Sequence, residues 1–464
     1  MRRMTAALLL LALTAGLAAG QSVVPPVAAT NLQRLAAWDA ANAAACQRAP
    51  ERFLQRRAVL ADKQTGRVTL LAESCGLAAQ AIVEFGLVGE TSDRTYEALF
   101  RTYARALDIG DALEFIGMPR GRNVSSKAQR YWPAGERVHI QVRALDGTNP
   151  PPRNLEDYIF DKQTGGVLPR AGFVYCGSPR VPNPAGEGDV CLADLDAPVS
   201  FLSLYNEPQT LLDVPRIAHQ GDVYENYTAN PETRLPEARQ VLLVLSPEPR
   251  PGGRPRMRPL TLTVARAAGP GGAAFELAEP GREAVRFDSF GDLLKRLMAL
   301  VDEACDPMVA LRFDDALPLD RVREVCKVIQ RIEGENGIRV EPPPEGQLYY
   351  KAFLPDDNWR ERAKRLSQPW ELHVGQPKAN RAAPPLRLVK TLEDWSDPDS
   401  IEPRLTPVEH PLATFDELPA LIEREGRGLP VLLVFAPGEA PIGLFLQGVR
   451  RVLDTHPTVY VFAE

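Results

Sequence analysis

Apolar residues recur at helical spacing from Asn31 to Arg48, where Leu32, Leu35, Ala36 and Ala43 can share one face. Beyond this the period shortens. "RAVLADKQTGRVTLLAE" has two short apolar runs about a polar centre containing Gly66, the pattern of a hairpin. "DKQTG" returns in "YIFDKQTGGVLPRAGFVYCG", now followed by Gly166. Glycine supplies the positive φ such turns need, and a leading Asp can bond the turn backbone. Both copies, Asp62–Gly66 and Asp161–Gly165, therefore read as turns. Their flanks do not match, which argues against a duplicated domain here, and neither is followed by the helix a phosphate cradle needs. Further strands are predicted at Ala81–Leu87, Tyr96–Tyr103, Arg137–Ala144, Gly172–Cys176 and Val241–Leu245. "DIGDALEFIG" predicts a short helix with Asp108 as N-cap and Gly117 as C-cap.

After Ser246–Pro259, a Pro/Gly/Arg linker, the rhythm changes. A strand from Leu260, a helix in "FDSFGDLLKRLMALVDEA", the strand "MVALRF", the helix "LPLDRVREVCKVIQRIEG" and the strand "GIRVEP" follow in order. A similar series starts at Leu386. Leu260 and Leu386 are 126 residues apart, Phe290 and Phe415 125, which reads as an internal repeat. "MVALRF" and "LPVLLVF" are the expected matching central strands. Leu293, Leu297, Leu300, Val322, Val325 and Ile329 should face inward in the first unit, and Leu418, Leu421, Leu446, Val449 and Val452 in the second. The predicted fold class is α+β: a β-rich mixed N-terminal domain, then two tandem small β-α-β-α-β sandwich units with helices on one face of a sheet. The divisions are a signal peptide at 1–20, a helix and lead-in at 21–52, a domain at 53–247, the linker at 248–259, a unit at 260–341, a connecting region at 342–385 and a unit at 386–464.

"MRRMTAALLLLALTAGLAAG" has a basic n-region, an apolar h-region too short to span a bilayer, and small residues before Gln21. It predicts a secretory leader cut near Gly20, and a periplasmic or secreted product. Loss of Arg2 and Arg3 takes the net charge from −6 to −8, with no nucleic-acid footprint. No later run is long and apolar enough to predict a transmembrane segment. Six cysteines in an exported chain can form disulfides. Cys176 and Cys191 lie at the edges of β segments 15 residues apart and are expected to pair, which would add roughly 3 kcal/mol. The five histidines show no H-E-x-x-H spacing, and no metal or cofactor is expected. Asp314–Asp315 and Glu333/Glu335 read as solvated loop ends, and Ser178 as a turn after a strand without the G-x-S-x-G context of a nucleophile.

Two ordered blocks carry a resemblance. "VEFGLVGETSDRTYEALFRTYARALDIGDALEFIGM" and "FVYCGSPR…DVCLADLDAPVSFLSLYNEPQTLLDVP" resemble the YdjY family of exported, functionally uncharacterised bacterial proteins over about residues 53–247. Glu97, Gly177, Ser178, Asp194 and Asp213 are matching positions. Tyr96 stands where that family usually has His, and Leu107 where it often has Pro. The two C-terminal units look like the periplasmic domain of ExbD/TolR transport proteins: Phe290, Leu293, Val309, Pro318, Val322 and Val325 follow its pattern, as do Phe415, Leu418, Val431, Pro441 and Val449. Energy transduction is not carried over, because the membrane helix with its proton-carrying Asp has no counterpart here. The expected function is non-catalytic binding of an unknown protein, cell-wall or small-molecule partner. The alternative is an enzyme with a site around Glu97, Cys176, Ser178 and Asp194.

Overall fold

The computed structural model describes residues 27–145, 151–195, 200–248, 256–267, 272–302, 305–333, 337–344, 346–376, 384–396 and 402–464. The expected leader lies outside them, as do residues 249–255 of the linker. The chain is α+β and rich in strands.

The N-terminal part opens with helix α1 (Ala29–Arg48), then strands β1 (Phe53–Arg56), β2 (Val59–Asp62), β3 (Arg67–Ser74), β4 (Phe85–Val88) and β5 (Ala98–Thr102). Helix α2 (Ala106–Phe115) precedes β6 (Arg137–Ala144), β7 (Arg153–Asn154), β8 (Ile159–Asp161), β9 (Gly166–Val167) and β10 (Phe173–Tyr175). Then come β11 (Arg180–Pro182), β12 (Asp189–Cys191), β13 (Ser200–Ser203), β14 (Leu212–Asp213), helix α3 (Gln220–Asn226), β15 (Tyr227–Ala229) and β16 (Gln240–Pro247). Eight strands run in the order β3-β16-β6-β10-β14-β13-β4-β5, and β5 pairs back to β3, so the sheet closes like a barrel.

Closure puts Glu73 between Arg101 of β5 and Gln240 of β16 in register. Glu73 is buried. It accepts bonds from Arg101 Nε (3.1 Å), Tyr103 Oη (2.5 Å) and Asn31 Nδ2 (2.7 Å), which pins the start of α1 across the seam.

Both "DKQTG" copies are turns of one build. Asp62 Oδ1 accepts Gln64 N at 3.0 Å and Asp161 Oδ1 accepts Gln163 N at 2.8 Å. Gly66 and Gly165 take φ of 62° and 69°. Two expected strands are shorter than predicted. Thr95–Glu97 is a 3₁₀ turn that leaves Tyr96 exposed, and the strand begins at Ala98. The other begins at Phe85, because Ile82 instead bridges Thr228. Helix α2 starts two residues before Asp108, so Asp108 is not its N-cap; Gly117 follows its end at φ 95°.

The C-terminal part has β17 (Met257–Arg266), β18 (Ala273–Ala278), β19 (Val285–Phe287), α4 (Phe290–Asp302), β20 (Asp306–Phe313), α5 (Leu319–Ile332) and β21 (Arg339–Glu341). Next are β22 (Trp370–Val374), β23 (Leu386–Asp394), β24 (Arg404–Leu412), α6 (Leu418–Glu425), β25 (Val431–Ala436), α7 (Gly443–Arg450) and β26 (Thr458–Ala463). The sheet orders are β19-β18-β17-β20-β21 and β24-β23-β22-β25-β26. The second sheet thus begins at Trp370, inside the stretch read as a connecting region. Trp370 lies opposite Leu432 as Leu260 lies opposite Val309, so Trp370 is the register counterpart of Leu260 and Leu386 falls on the next strand. "WELHV" alternates Trp370, Leu372 and Val374 with Glu371 and His373, as "LTLTV" alternates Leu260, Leu262 and Val264 with Thr261 and Thr263.

One apolar core takes in both units. All eleven positions named above as inward-facing are buried, Val452 just past the end of α7. Between the units, Leu319 N donates to Ala440 O (3.0 Å) and Ile442 N to Leu317 O (2.9 Å). Asp320 N donates to Gly438 O (2.8 Å) and Gly443 N to Asp315 O (2.9 Å), about a Pro318–Pro441 bridge. The four bonds are reciprocal, each segment giving what it receives.

The barrel docks on the first sheet. Asp306 is held by Arg137, Arg256 and Arg339, each at 3.1 Å. Burial alone would raise its carboxyl, but the three guanidinium groups bring it below its usual value. Trp132, Ala134 and Met308 form a small apolar patch beside this cluster.

The seam yields a stability prediction. Glu73→Leu leaves Arg101 buried without its carboxylate and should cost about 3 kcal/mol or more. Glu73→Leu combined with Arg101→Met should recover part of it. Thermal denaturation of the three proteins checks this; equal melting temperatures for wild type and Glu73→Leu would refute it.

Candidate functional site

Two of the four sequence candidates build a latch, and a third, Cys176, lies buried beside it. Ser178, at φ 49°, uses Oγ to accept Ala193 N at 3.2 Å. The next residue, Asp194, accepts Ala106 N (2.6 Å) and Leu107 N (2.9 Å), so it caps α2 from a distant segment. Gly177, at φ 93°, leaves room for Arg120: a Cβ there would lie 2.3 Å from Arg120 Cγ. Cys176 is buried, and burial pushes its thiol well above the ordinary value, which disfavours the nucleophilic thiolate.

The expected Cys176–Cys191 disulfide is not formed; both are free thiols. The β11–β12 hairpin sets Cys191 opposite Arg180, four residues past Cys176 in the chain, and its Sγ lies 4.0 Å from Gly177 O. Burial raises the Cys191 thiol to about 11.

Glu97 stands apart from the latch, in a buried acidic cluster. The Tyr224 hydroxyl lies 3.0 Å from Glu84 and 3.3 Å from Glu97, and Arg94 Nη1 donates to Glu97 at 3.0 Å. Gln220 also bonds Glu84. Burial raises the Glu97 carboxyl, and the hydrogen bond and charge of Glu84 raise it further against the pull of Arg94. Nearby, Glu207 accepts Ser200 Oγ (2.6 Å) and Tyr205 Oη (2.7 Å), and burial raises it too. Asp213 accepts Asn206 Nδ2 (3.0 Å) and Val214 N (2.7 Å) through Oδ1, and burial raises its carboxyl well above the ordinary value. Asp194 lines a cleft of about 210 Å³ with Arg57, Glu90, Ser92, Arg105 and Phe201; Glu97, Cys176 and Ser178 are absent from it. The sequence candidates therefore do not converge on one site.

A cleft the sequence did not indicate lies where the barrel meets the C-terminal units. It has a volume of about 290 Å³, and Tyr131, His219, Tyr349, Lys351 and Tyr460 line it. Tyr131 and Tyr349 pack with ring centroids 4.9 Å apart. Gln129 fixes the junction from below: Nε2 donates to Pro457 O (2.8 Å) and Oε1 accepts Tyr349 N (2.7 Å). Tyr349 Oη in turn donates to Glu333 (2.7 Å), which also accepts Trp132 Nε1 (2.8 Å).

The described residues hold no group of three or more His, Cys, Asp or Glu placed to bind a metal ion, and no helix long and apolar enough to cross a membrane.

Fold and site together define a closed-sheet α+β domain joined to two smaller αβ units, with a cleft at the junction. Residues 59–205 match the family model of the YdjY domain. The closed sheet runs past that match, since β14 and β16 complete it. The match does not reach the C-terminal units, whose likeness to the ExbD/TolR periplasmic domain is without support, and no curated protein matches the chain.

The Glu97 carboxyl gives a pH prediction. Its raised value means the folded state holds the proton more tightly than the unfolded chain. Stability is then lost as pH rises from the ordinary value near 4.5 through the raised one. Glu97→Gln should raise the melting temperature at pH 7 and leave it nearly unchanged at pH 4; a gain of equal size at both would refute the assignment.

Proposed function

We propose that this is an exported binding protein that holds a sugar ring of the cell wall in the junction cleft and does no catalysis. The observation that carries this reading is the convergence of Tyr131, Tyr349 and Tyr460 with His219 and Lys351, from separate segments, on one cleft. A sugar ring has an apolar face and polar edges. Tyrosine rings suit the face, while an imidazole and an ammonium suit the hydroxyls. The leader-like residues 1–20 support export, which would bring the chain to such a ligand.

An enzyme is the second reading. The raised carboxyls of Glu97, Glu207 and Asp213 favour it. Against it, Ser178 and Asp194 already serve backbone amides, and the cleft beside Asp194 does not reach Glu97. We further read the two C-terminal units as a duplicated pair facing each other about a local two-fold axis. The shared strand order and the reciprocal bonds at Pro318 and Pro441 support this.

The test is titration of the whole protein with N-acetylglucosamine oligomers, followed by calorimetry. Binding should weaken about tenfold in Tyr131→Ala, the loss of one stacked ring, with the melting temperature kept because Tyr131 is exposed. No heat from these oligomers, or equal affinity in the variant, would overturn the proposal.

A further inference from the structure

A larger cavity, of about 540 Å³, lies between α1 and the barrel strands beneath it. Its floor is Leu71 and Gln240, both buried. Arg34 and Trp38 of α1 form a wall, and Leu145 and Arg239 the rim. Arg34 and Trp38 are four residues apart on the helix, so they project from one face. Arg34 is exposed, and no hydrogen bond or ion pair engages its guanidinium among the described residues.

Gln240 gives the cavity a polar floor of fixed orientation. Its Nε2 donates to Asn31 O at 3.1 Å and lies 3.4 Å from Tyr103 Oη, which settles which end of the amide is which. Oε1 is buried and accepts no hydrogen bond from the described residues. A buried acceptor without a donor is costly, and a ligand that supplies one removes the cost. The support below is rigid, because the same Asn31 and Tyr103 bond Glu73 at the seam.

We infer that this groove is a second ligand site, for a small anion that carries a flat ring and an amino or ring N–H donor. The parts divide the work. Trp38 offers an indole plane for the ring. Arg34 and Arg239 supply positive charge, and a planar guanidinium matches a carboxylate or phosphate. Gln240 Oε1 reads the donor. The volume falls within the range of about 300–1,000 Å³ usual for small-molecule sites. The site shares no residue with the tyrosine-lined cleft.

Carboxylate and phosphate fit the same cations, so the test uses both. The whole protein is titrated by calorimetry with anthranilate, which joins a ring, an amino group and a carboxylate, and with 5′-AMP, which carries a phosphate instead. Adenosine and inorganic phosphate are the controls lacking one half each. At least one of the first two should bind with sub-millimolar affinity, and each control at least about tenfold more weakly. Arg34→Ala and Trp38→Ala should each loosen the preferred ligand by about tenfold. Tyr131→Ala should leave it unchanged, which separates this site from the junction cleft. No binding of either ring-bearing anion at millimolar concentration overturns the inference, as does wild-type affinity in both α1 variants.

Discussion

A sheet that closes on itself must join two strands whose edges would otherwise be open. Here β3 and β5 meet, and the pair that faces across the seam is Glu73 and Arg101. Both are buried, so each needs the other: a buried charge without a partner is strongly destabilising, while a paired and fully bonded one is tolerated. Tyr103 and Asn31 take up the remaining carboxylate capacity. That brings α1 against the barrel, and with it the groove between Arg34, Trp38 and Gln240. The seam therefore fixes barrel closure, the position of the first helix and the floor of a cavity through one carboxylate.

Polar groups do comparable work elsewhere. Asp194 closes the N-terminus of α2 from far along the chain, and Ser178 holds the turn that carries it. Asp306 gathers arginines from the barrel and the first C-terminal sheet. On the second sheet, burial alone would raise the Glu371 carboxyl, yet bonds from His373, Arg362 and Arg365 bring it down to about 2. Apolar cores fill the barrel and the paired C-terminal sheets, while these carboxylates hold particular segments in place, and Asp306 joins the barrel to the first of those sheets.

That division explains what the sequence could reveal. Periodicity reports which faces are buried, so the hairpin turns at Gly66 and Gly165, the strand Arg137–Ala144 and the inward faces of α4 and α5 were legible. Pairing across the chain leaves no periodic mark. The β3–β5 closure, the distant cap from Asp194 and the junction cleft all depend on it, and none could be read. The same limit misled the reading of candidate residues. Glu97, Cys176, Ser178 and Asp194 drew notice as chemically capable groups, yet the three-dimensional neighbours of Ser178 and Asp194 are backbone amides. The place of strand "WELHV" in the second sheet was missed for a related reason: its pairing with Leu432–Phe435 comes from far along the chain and is supplied only by the fold.

The two C-terminal sheets show how one architecture can serve two ends. Their helix-facing positions stay apolar: Leu260 and Trp370, Val309 and Leu432, Val340 and Val459 occupy the same places by register. The opposite faces differ. Glu341 pairs with Ala310 on the first sheet, and Tyr460 with Leu433 at the same place on the second. Glu341 binds Arg122 of the barrel, whereas Tyr460 lines the junction cleft. A helix-facing residue is constrained by the shared core, where a change of volume is felt at once. A residue on the outer face answers only to whatever lies against it. An ion pair at this place on one sheet therefore fastens the barrel, and a ring at the same place on the other leaves an open aromatic wall beside it.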